Sequence, residues 1–126
     1  MAIPDNIHVS KEVISFLIKT KGINKFSITT DLVEHEFFEK EKSKGMLGGG
    51  QISFDKCVSN LVGWNVSDLE DILISCSRPI SKLLKNAENE GLGEIKLNEE
   101  ANLVIWDTEI NRLKGTIMGQ NLFLNY

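Results

Sequence analysis

The pattern that most constrains the fold is a helix signal between two strand signals near the start of the chain. Ser10 is a favourable N-cap, apolar residues follow it, and Gly22 stands where a C-cap glycine is expected, so residues 11–21 are predicted to be helical. Ile3 and residues 7–9 before this helix, and residues 25–30 after it, have the β-branched side chains typical of strands. The sequence therefore predicts a strand-helix-strand unit.

The ends of these two predicted strands carry candidate functional side chains. Strands joined by one helix are expected to be parallel, and the ligands of such units gather at the carboxyl ends of the strands. His8 and Asp31 are predicted to lie at that edge. Asp31 is a candidate general base, but an aspartate after a strand is also a common turn residue, and a structural role stays open for His8.

A glycine-rich stretch follows residues 32–44, a charged segment whose structure the sequence leaves open. Gly48, Gly49 and Gly50 have no Cβ, so their backbone amides can approach a phosphate or a sugar closely. The stretch lacks the terminal Lys-Ser/Thr of a P-loop, so it is either a binding loop of another kind or a flexible connection.

The rest of the chain predicts three helices followed by short strands. The helices begin at Ser53, at the capping box Ser67-Asp68-Leu69-Glu70, and at Pro79, the last of them running to about Asn89 before Gly91 and Gly93. The strands are predicted at residues 94–97, 103–106, 115–118 and 121–124.

The composition excludes several classes of protein. The 126 residues are 41% hydrophobic, which suffices for a folded domain, and the apolar runs are too short to cross a membrane. A net charge of -4 and a pI near 5.2 give no general attraction to nucleic acid or to anionic lipid. Cys57 and Cys76 have no metal-ligand spacing and are expected to be free thiols, as in a cytoplasmic protein.

Several collinear motifs resemble the N-acetylglucosamine-6-phosphate deacetylases of the amidohydrolase superfamily. The family patterns are D-G-x-H-V, E-V, K-G, V-T-D, L-A-G-S-x-L-T-M-D, and a closing G-x-I, A-D-L-V-I-x-D and T-I-x-G. The matching segments are Asp5 to Val9, Glu12-Val13, Lys21-Gly22, Thr29 to Asp31, Leu47 to Asp55, Gly93 to Ile95, Ala101 to Asp107 and Thr116 to Gly119. The resemblance covers residues 5–119.

The resemblance implies an α/β fold with two parts. Residues 1–92 are expected to form the C-terminal part of a (β/α)8 amidohydrolase barrel. Residues 93–126 are expected to supply short strands of the small β-sandwich domain. Because both parts would lack partner strands, a homo-oligomer is expected, formed through the C-terminal strands or the barrel edge.

The resemblance also implies a function. The family is a metal-dependent hydrolase that removes acetate from N-acetylglucosamine 6-phosphate, an amino-sugar phosphate. Asp31 matches its catalytic aspartate, which activates a metal-bound water and then protonates the leaving amine. The residues that match its substrate-binding positions are His8, Leu47, Gly48, Gly49 and Gly50.

Departures from the family pattern qualify this function. The family holds its divalent metal, zinc or similar, through a glutamate and two histidines upstream of D-x-x-H-V, so no metal is expected in this chain alone and the chain is expected to be inactive. Asn6 replaces a glycine, Leu32 an alanine and Gly50 a serine. The alternative is a non-catalytic sugar-phosphate-binding or protein-interaction domain.

Overall fold

The computed structural model describes residues 1–84 and 93–125, which form helices and an antiparallel sheet. The helices are α1 (Lys11–Lys21), a short 3-10 helix (Ile23–Lys25), α2 (His35–Ser43), α3 (Phe54–Gly63), α4 (Leu69–Ser75) and α5 (Arg78–Leu84). The strands are β1 (Asn102–Asp107), β2 (Arg112–Met118) and β3 (Asn121–Leu124). The predicted end of the last helix, at Asn89 and Gly91, lies outside the described residues.

Helix α1 confirms the first prediction in its bounds and its caps. The Ser10 hydroxyl oxygen accepts a hydrogen bond from the backbone N–H of Val13 at 3.5 Å, and Gly22 ends the helix with a φ of 77°. Ile14 and Ile18 are buried because they lie one turn apart on the same face. Local signals at both ends therefore fix this element.

The two segments that flank α1 do not form the predicted strands. Residues 7–9 form a bend, and residues 25–30 contribute Ile28 to a single parallel bridge with Ala2, further upstream. In this bridge the Ala2 N–H donates to the Ser27 carbonyl and the Thr29 N–H donates to the Ala2 carbonyl, both at 3.0 Å. The next bond of a parallel ladder would need an N–H on Pro4, and proline has none. The chain before α1 and the chain after it are thus parallel where Ala2 meets Ile28, while the prediction of regular strands at residues 7–9 and 25–30 is wrong.

The predictions for the middle helices are confirmed in place and corrected in detail. Helix α2 occupies the charged segment that the sequence left open, and α3 begins after Ser53 as predicted. Helix α4 is capped by Asp68, whose Oδ1 accepts from the backbone N–H of Asp71 at 2.9 Å. The prediction that Ser67 is the N-cap of a capping box is therefore wrong by one residue. The Ser67 hydroxyl donates instead to the Asp71 carboxylate.

Three of the four predicted C-terminal strands are present, in the order β1-β2-β3 with antiparallel pairing. The strand predicted at residues 94–97 is wrong. Ile95 and Leu97 are 86% and 92% exposed, and Asn98 turns the chain with a φ of 67°. This segment pairs with no described strand, so its alternating pattern has nothing to pack against.

The hydrophobic core lies between α1, the bridged segments, α3 and α4. Its buried residues are Ala2, Ile14, Ile18, Phe26, Ile28, Cys57, Val58, Leu61, Val66 and Ile72. The sheet is joined to α3 by two hydrogen bonds, from the Ser59 hydroxyl to the Asn111 carbonyl and from the Asn111 amide to the Ser59 carbonyl. Cys57 and Cys76 are free thiols, as predicted. No helix in the described ranges is long and apolar enough to span a membrane.

Candidate functional site

The turn before α1 holds His8 in a fixed position. One carboxylate oxygen of Asp5 accepts hydrogen bonds from the backbone N–H groups of Ile7 and His8, each at 2.9 Å, and the other oxygen lies 2.6 Å from Nδ1 of His8. Asn6 adopts a φ of 62° in this turn. Asparagine tolerates that conformation better than most residues, so it can occupy a position where the deacetylase motif has glycine.

His8 connects this turn to the glycine loop, residues 47–50. Its Nε2 lies 2.6 Å from the carbonyl oxygen of Gly48, a residue 40 positions later in the chain. Partial burial alone lowers the pKa of His8. The hydrogen bonds with Asp5 and Gly48 and the charges of Asp5 and Asp31 outweigh this effect, so the pKa stands above its usual value. A sugar oxygen would reach Nε2 only in place of the Gly48 carbonyl.

The same loop packs against the backbone of Asp31. The Gly50 N–H donates to the Asp31 carbonyl at 2.8 Å, and the Val33 N–H donates to the Gly50 carbonyl at 3.1 Å. A Cβ on Gly49 would collide with the Asp31 carbonyl, and one on Gly50 with the Thr30 carbonyl. Two glycines are therefore required by this close backbone approach rather than by flexibility.

Asp31 presents its carboxylate at the surface. The residue is exposed, with a φ of 44°, and its backbone N–H donates to the Thr29 hydroxyl at 3.3 Å. Among the described residues no side chain donates a hydrogen bond to the Asp31 carboxylate. This group is free to accept a proton or a hydrogen bond from a ligand.

The structure thus brings His8, Gly48–Gly50 and Asp31 into one place, and Leu47 lies at the exposed rim of the loop. Sequence reasoning missed two residues here. Asp5 holds His8, a role that its position three residues earlier in the chain could have indicated. Gln51 donates to the carbonyl of Val33 at 3.0 Å, and no sequence signal pointed to it.

The residues in the described ranges do not fit a metal ion. No group of three or more histidine, cysteine, aspartate or glutamate side chains lies together there. His8 is engaged by Asp5 and Gly48, and His35 lies on α2 next to the side-chain amide of Gln51. Neither histidine is thus part of a potential ligand set.

A comparison with solved structures bears on the resemblance noted in the sequence. The N-acetylglucosamine-6-phosphate deacetylase from Pasteurella multocida matches 98% of this chain with a TM-score of 0.81 and 25% sequence identity. The chain resembles the C-terminal portion of such a deacetylase. The deacetylase from Thermotoga maritima has the same fold over 98% of the chain, with a TM-score of 0.78 and 20% identity.

The match is to part of each deacetylase. This chain spans 36% of the Pasteurella deacetylase and 38% of the Thermotoga deacetylase. No protein-family model and no curated protein matches the sequence significantly. The likeness to the deacetylases is therefore carried by structure together with the short motifs around His8, Asp31 and the glycine loop.

Proposed function

We propose that this chain supplies the aspartate and the sugar-binding loop of an N-acetylglucosamine-6-phosphate deacetylase, a cytoplasmic hydrolase of amino-sugar catabolism. Asp31 is the proposed catalytic residue. The proposed sugar-contacting residues are His8, Leu47, Gly48, Gly49 and Gly50. The chain alone is proposed to be inactive, with the metal ligands contributed from outside the described residues.

The observation that carries this proposal is the contact of the glycine loop with Asp31 in a chain that matches a deacetylase with a TM-score of 0.81. The loop fixes the backbone of Asp31, while its carboxylate stays exposed. An aspartate held in this way can take a proton from an attacking water and pass it to the amine that leaves from a sugar bound over the loop. His8 belongs to the proposed sugar-contacting side together with the loop that it holds.

We also propose a division of the chain into two parts. Residues 1–92 would correspond to the last strands and helices of a (β/α)8 barrel, and residues 93–126 to strands of a small β-sandwich. The parallel bridges of Ala2 with Ile28 and of Leu32 with Gly50 support the first part. The antiparallel sheet of β1, β2 and β3 supports the second.

The proposal is tested by supplying the missing part of the enzyme. The 126-residue chain is mixed with the part of the Pasteurella deacetylase that it does not match, Zn2+ is added, and acetate release from N-acetylglucosamine 6-phosphate is measured. We expect turnover in the mixture and none with either polypeptide alone. Turnover by this chain alone would contradict its proposed inactivity.

The role of Asp31 is tested in the same mixture. Asp31→Asn is expected to lower turnover by about two orders of magnitude or more, since a proton-transfer group is lost while the fold stays intact. Asp55→Asn, which changes an aspartate in the first turn of α3, is the matched control and should leave turnover unchanged. Equal activity of Asp31→Asn and the unmodified chain would refute the assignment.

A second candidate function is a non-catalytic sugar-phosphate-binding domain. It is favoured by one observation, namely that the His8 and glycine-loop contacts are formed although no metal-ligand group accompanies them in the described residues. Calorimetric titration of the chain alone with N-acetylglucosamine 6-phosphate separates the two functions. Saturable binding without complemented turnover would support the binding domain, and complemented turnover would support the deacetylase.

A further inference from the structure

Asp5 is the most enclosed charged group next to the candidate site. Its side chain is 3% exposed and that of His8 is 13% exposed, so their contact is largely shielded from water. Both carboxylate oxygens are used, one by the two backbone N–H groups of the turn and one by the imidazole. The side chain of Asp5 therefore has one fixed orientation, and so does the ring that it holds.

The partners of His8 determine its charge. The Gly48 carbonyl can only accept a hydrogen bond, so Nε2 must carry a proton. The Asp5 carboxylate already accepts two backbone N–H bonds and is an acceptor toward Nδ1 as well. An imidazole that donates from both nitrogens is an imidazolium cation.

We infer that Asp5 is a positioning residue of the site, because by holding His8 as an imidazolium it fastens the glycine loop against Asp31. This role rests on the proposed function in one respect, namely that Asp31 and the glycine loop are taken to be the sugar site. Asp5 touches neither the loop nor Asp31 through its own hydrogen bonds. It acts through His8, whose Nε2–H is the link to Gly48.

The charges that face His8 all favour the cation. Asp5 lies on the same turn, Asp31 lies at the end of the segment bridged to Ala2, and the loop contributes the uncharged Gly48 carbonyl. In the described part of the chain, no lysine or arginine is among the groups that act on His8. When His8 becomes neutral, the Asp5 carboxylate keeps the proton on Nδ1, so Nε2 loses its proton and faces the Gly48 carbonyl as a second acceptor. The hold of His8 on Gly48 is then lost, while the backbone hydrogen bonds between Gly50 and Asp31 and between Val33 and Gly50 remain.

The test is a pH titration of the whole chain by NMR, with 15N in the backbone and in the histidine rings. At mildly acid pH we expect two ring N–H protons on His8, both protected from exchange. As pH rises through the His8 titration, we expect the amide signals of Gly48, Gly49 and Gly50 to shift with the same midpoint. His35→Gln, which leaves His8 as the one histidine of the sequence, is the control variant and should keep the midpoint of the glycine signals unchanged.

Asp5→Asn removes the charge that holds the ring. The His8 midpoint is then expected to move to lower pH, and the glycine amides should follow it, while Asp55→Asn leaves both unchanged. If Asp5→Asn does not fold, His8→Gln provides a second variant, since its neutral amide can donate to Gly48 and should abolish the pH dependence of the glycine signals. The pH titration itself uses the unmodified chain, so its outcome does not depend on whether a variant folds.

Two results would overturn the inference. One is a His8 ring that carries a single proton at mildly acid pH, and the other is a His8 titration that leaves the glycine amides unmoved. These measurements use no ligand. If they succeed and the mixture with the Pasteurella part shows no turnover, only the proposed function is wrong, whereas turnover in that mixture without a linked titration rejects the role of Asp5 alone.

Discussion

Gly50 shows how one missing Cβ sets the distance between two backbones. The deacetylase motif has serine at this position, but here the loop lies so close to Thr30 that a Cβ has no room. Asn6 departs from the motif in the opposite direction, since a side chain replaces a glycine while the backbone keeps a φ of 62°. Both substitutions are thus explained by local backbone geometry, and Leu32 is a third departure that nothing in the structure explains.

Gly50→Ser, which restores the residue of the deacetylase motif, is expected to destabilise this chain. The new Cβ would collide with the Thr30 carbonyl, and overpacking of this kind costs about 1–3 kcal/mol. The free energy of unfolding in urea measures the effect. Gly63→Ala is the control, because its Cβ would meet only the Asn111 amide at 3.9 Å and should leave stability unchanged or higher. If Gly50→Ser were as stable as the unmodified chain, the glycine loop would be able to move away from the Thr30 carbonyl.

The paired charges of Asp5 and His8 make stability depend on pH in two windows. Because the pKa of His8 is raised in the folded chain, its contribution is complete below the pKa of the unfolded chain and is lost as pH rises through the folded pKa. For Asp5, burial alone raises the pKa, but hydrogen bonds from His8 and the turn outweigh it, and the pKa is lowered. Its contribution is present above the unfolded pKa and is lost as pH falls through the folded one.

These contributions are measured as the difference in unfolding free energy between the unmodified chain and His8→Gln across pH. We expect the difference to shrink toward both ends of the pH range. His35→Gln is the control for the loss of a surface histidine, and a difference of the same shape in both variants would show that the effect is not specific to His8. A flat profile for His8→Gln would mean that His8 is not charged in the folded chain.

At the scale of elements, local sequence signals were sufficient to predict the helices and insufficient to predict the strands. Helix α1 was predictable to the residue because Ser10 and Gly22 act within a few positions of the helix itself. A strand depends on a partner, and the segments at 25–30 and 94–97 have the right pattern without a regular partner in the described structure. The candidate site was predictable for His8, Asp31 and the glycines, whereas the role of Asp5 depends on side-chain contacts that a sequence does not display.

The cap of α4 gives a direct test at this scale. Asp68→Ala should cost about 1 kcal/mol of stability, because the backbone N–H of Asp71 loses its acceptor. Asp68→Asn should restore most of this loss, since asparagine is an equally good N-cap. Ser67→Ala is expected to cost less, because the Ser67 hydroxyl bonds only to an aspartate side chain. A larger loss in Ser67→Ala than in Asp68→Ala would favour the capping box that the sequence first indicated.

At the scale of the whole molecule, both faces of the sheet expose apolar side chains, and one of these faces is aliphatic. Leu103, Ile117 and Leu122 are paired across the three strands and therefore lie on the same side. Ile105 and Leu124 extend this face, and Leu122 and Leu124 are 56% and 46% exposed. Contiguous apolar surface of this kind is typical of interfaces, and β3 is paired on one side only.

We expect the chain to form a homodimer or a larger homo-oligomer through this face. Light scattering at tens of micromolar measures the mass, and Leu122→Lys should reduce it to that of a monomer. Phe123→Lys is the matched control, because Phe123 is similarly exposed at 54% but lies on the opposite face of β3. A monomeric mass for the unmodified chain, with dispersed amide signals that show a folded state, would contradict this expectation.

The hydrogen bond between His8 and Gly48 joins residues 40 positions apart and lies outside the main hydrophobic core. The core around α1, α3 and α4 does not need this contact to stay packed. Local fluctuations are therefore expected to open the glycine loop while the helices remain folded. The amides of the loop then exchange with solvent at a lower free-energy cost than global unfolding would require. A ligand that binds the closed loop would then slow exchange there far more than in the core, and the pattern of protection would reveal where it binds.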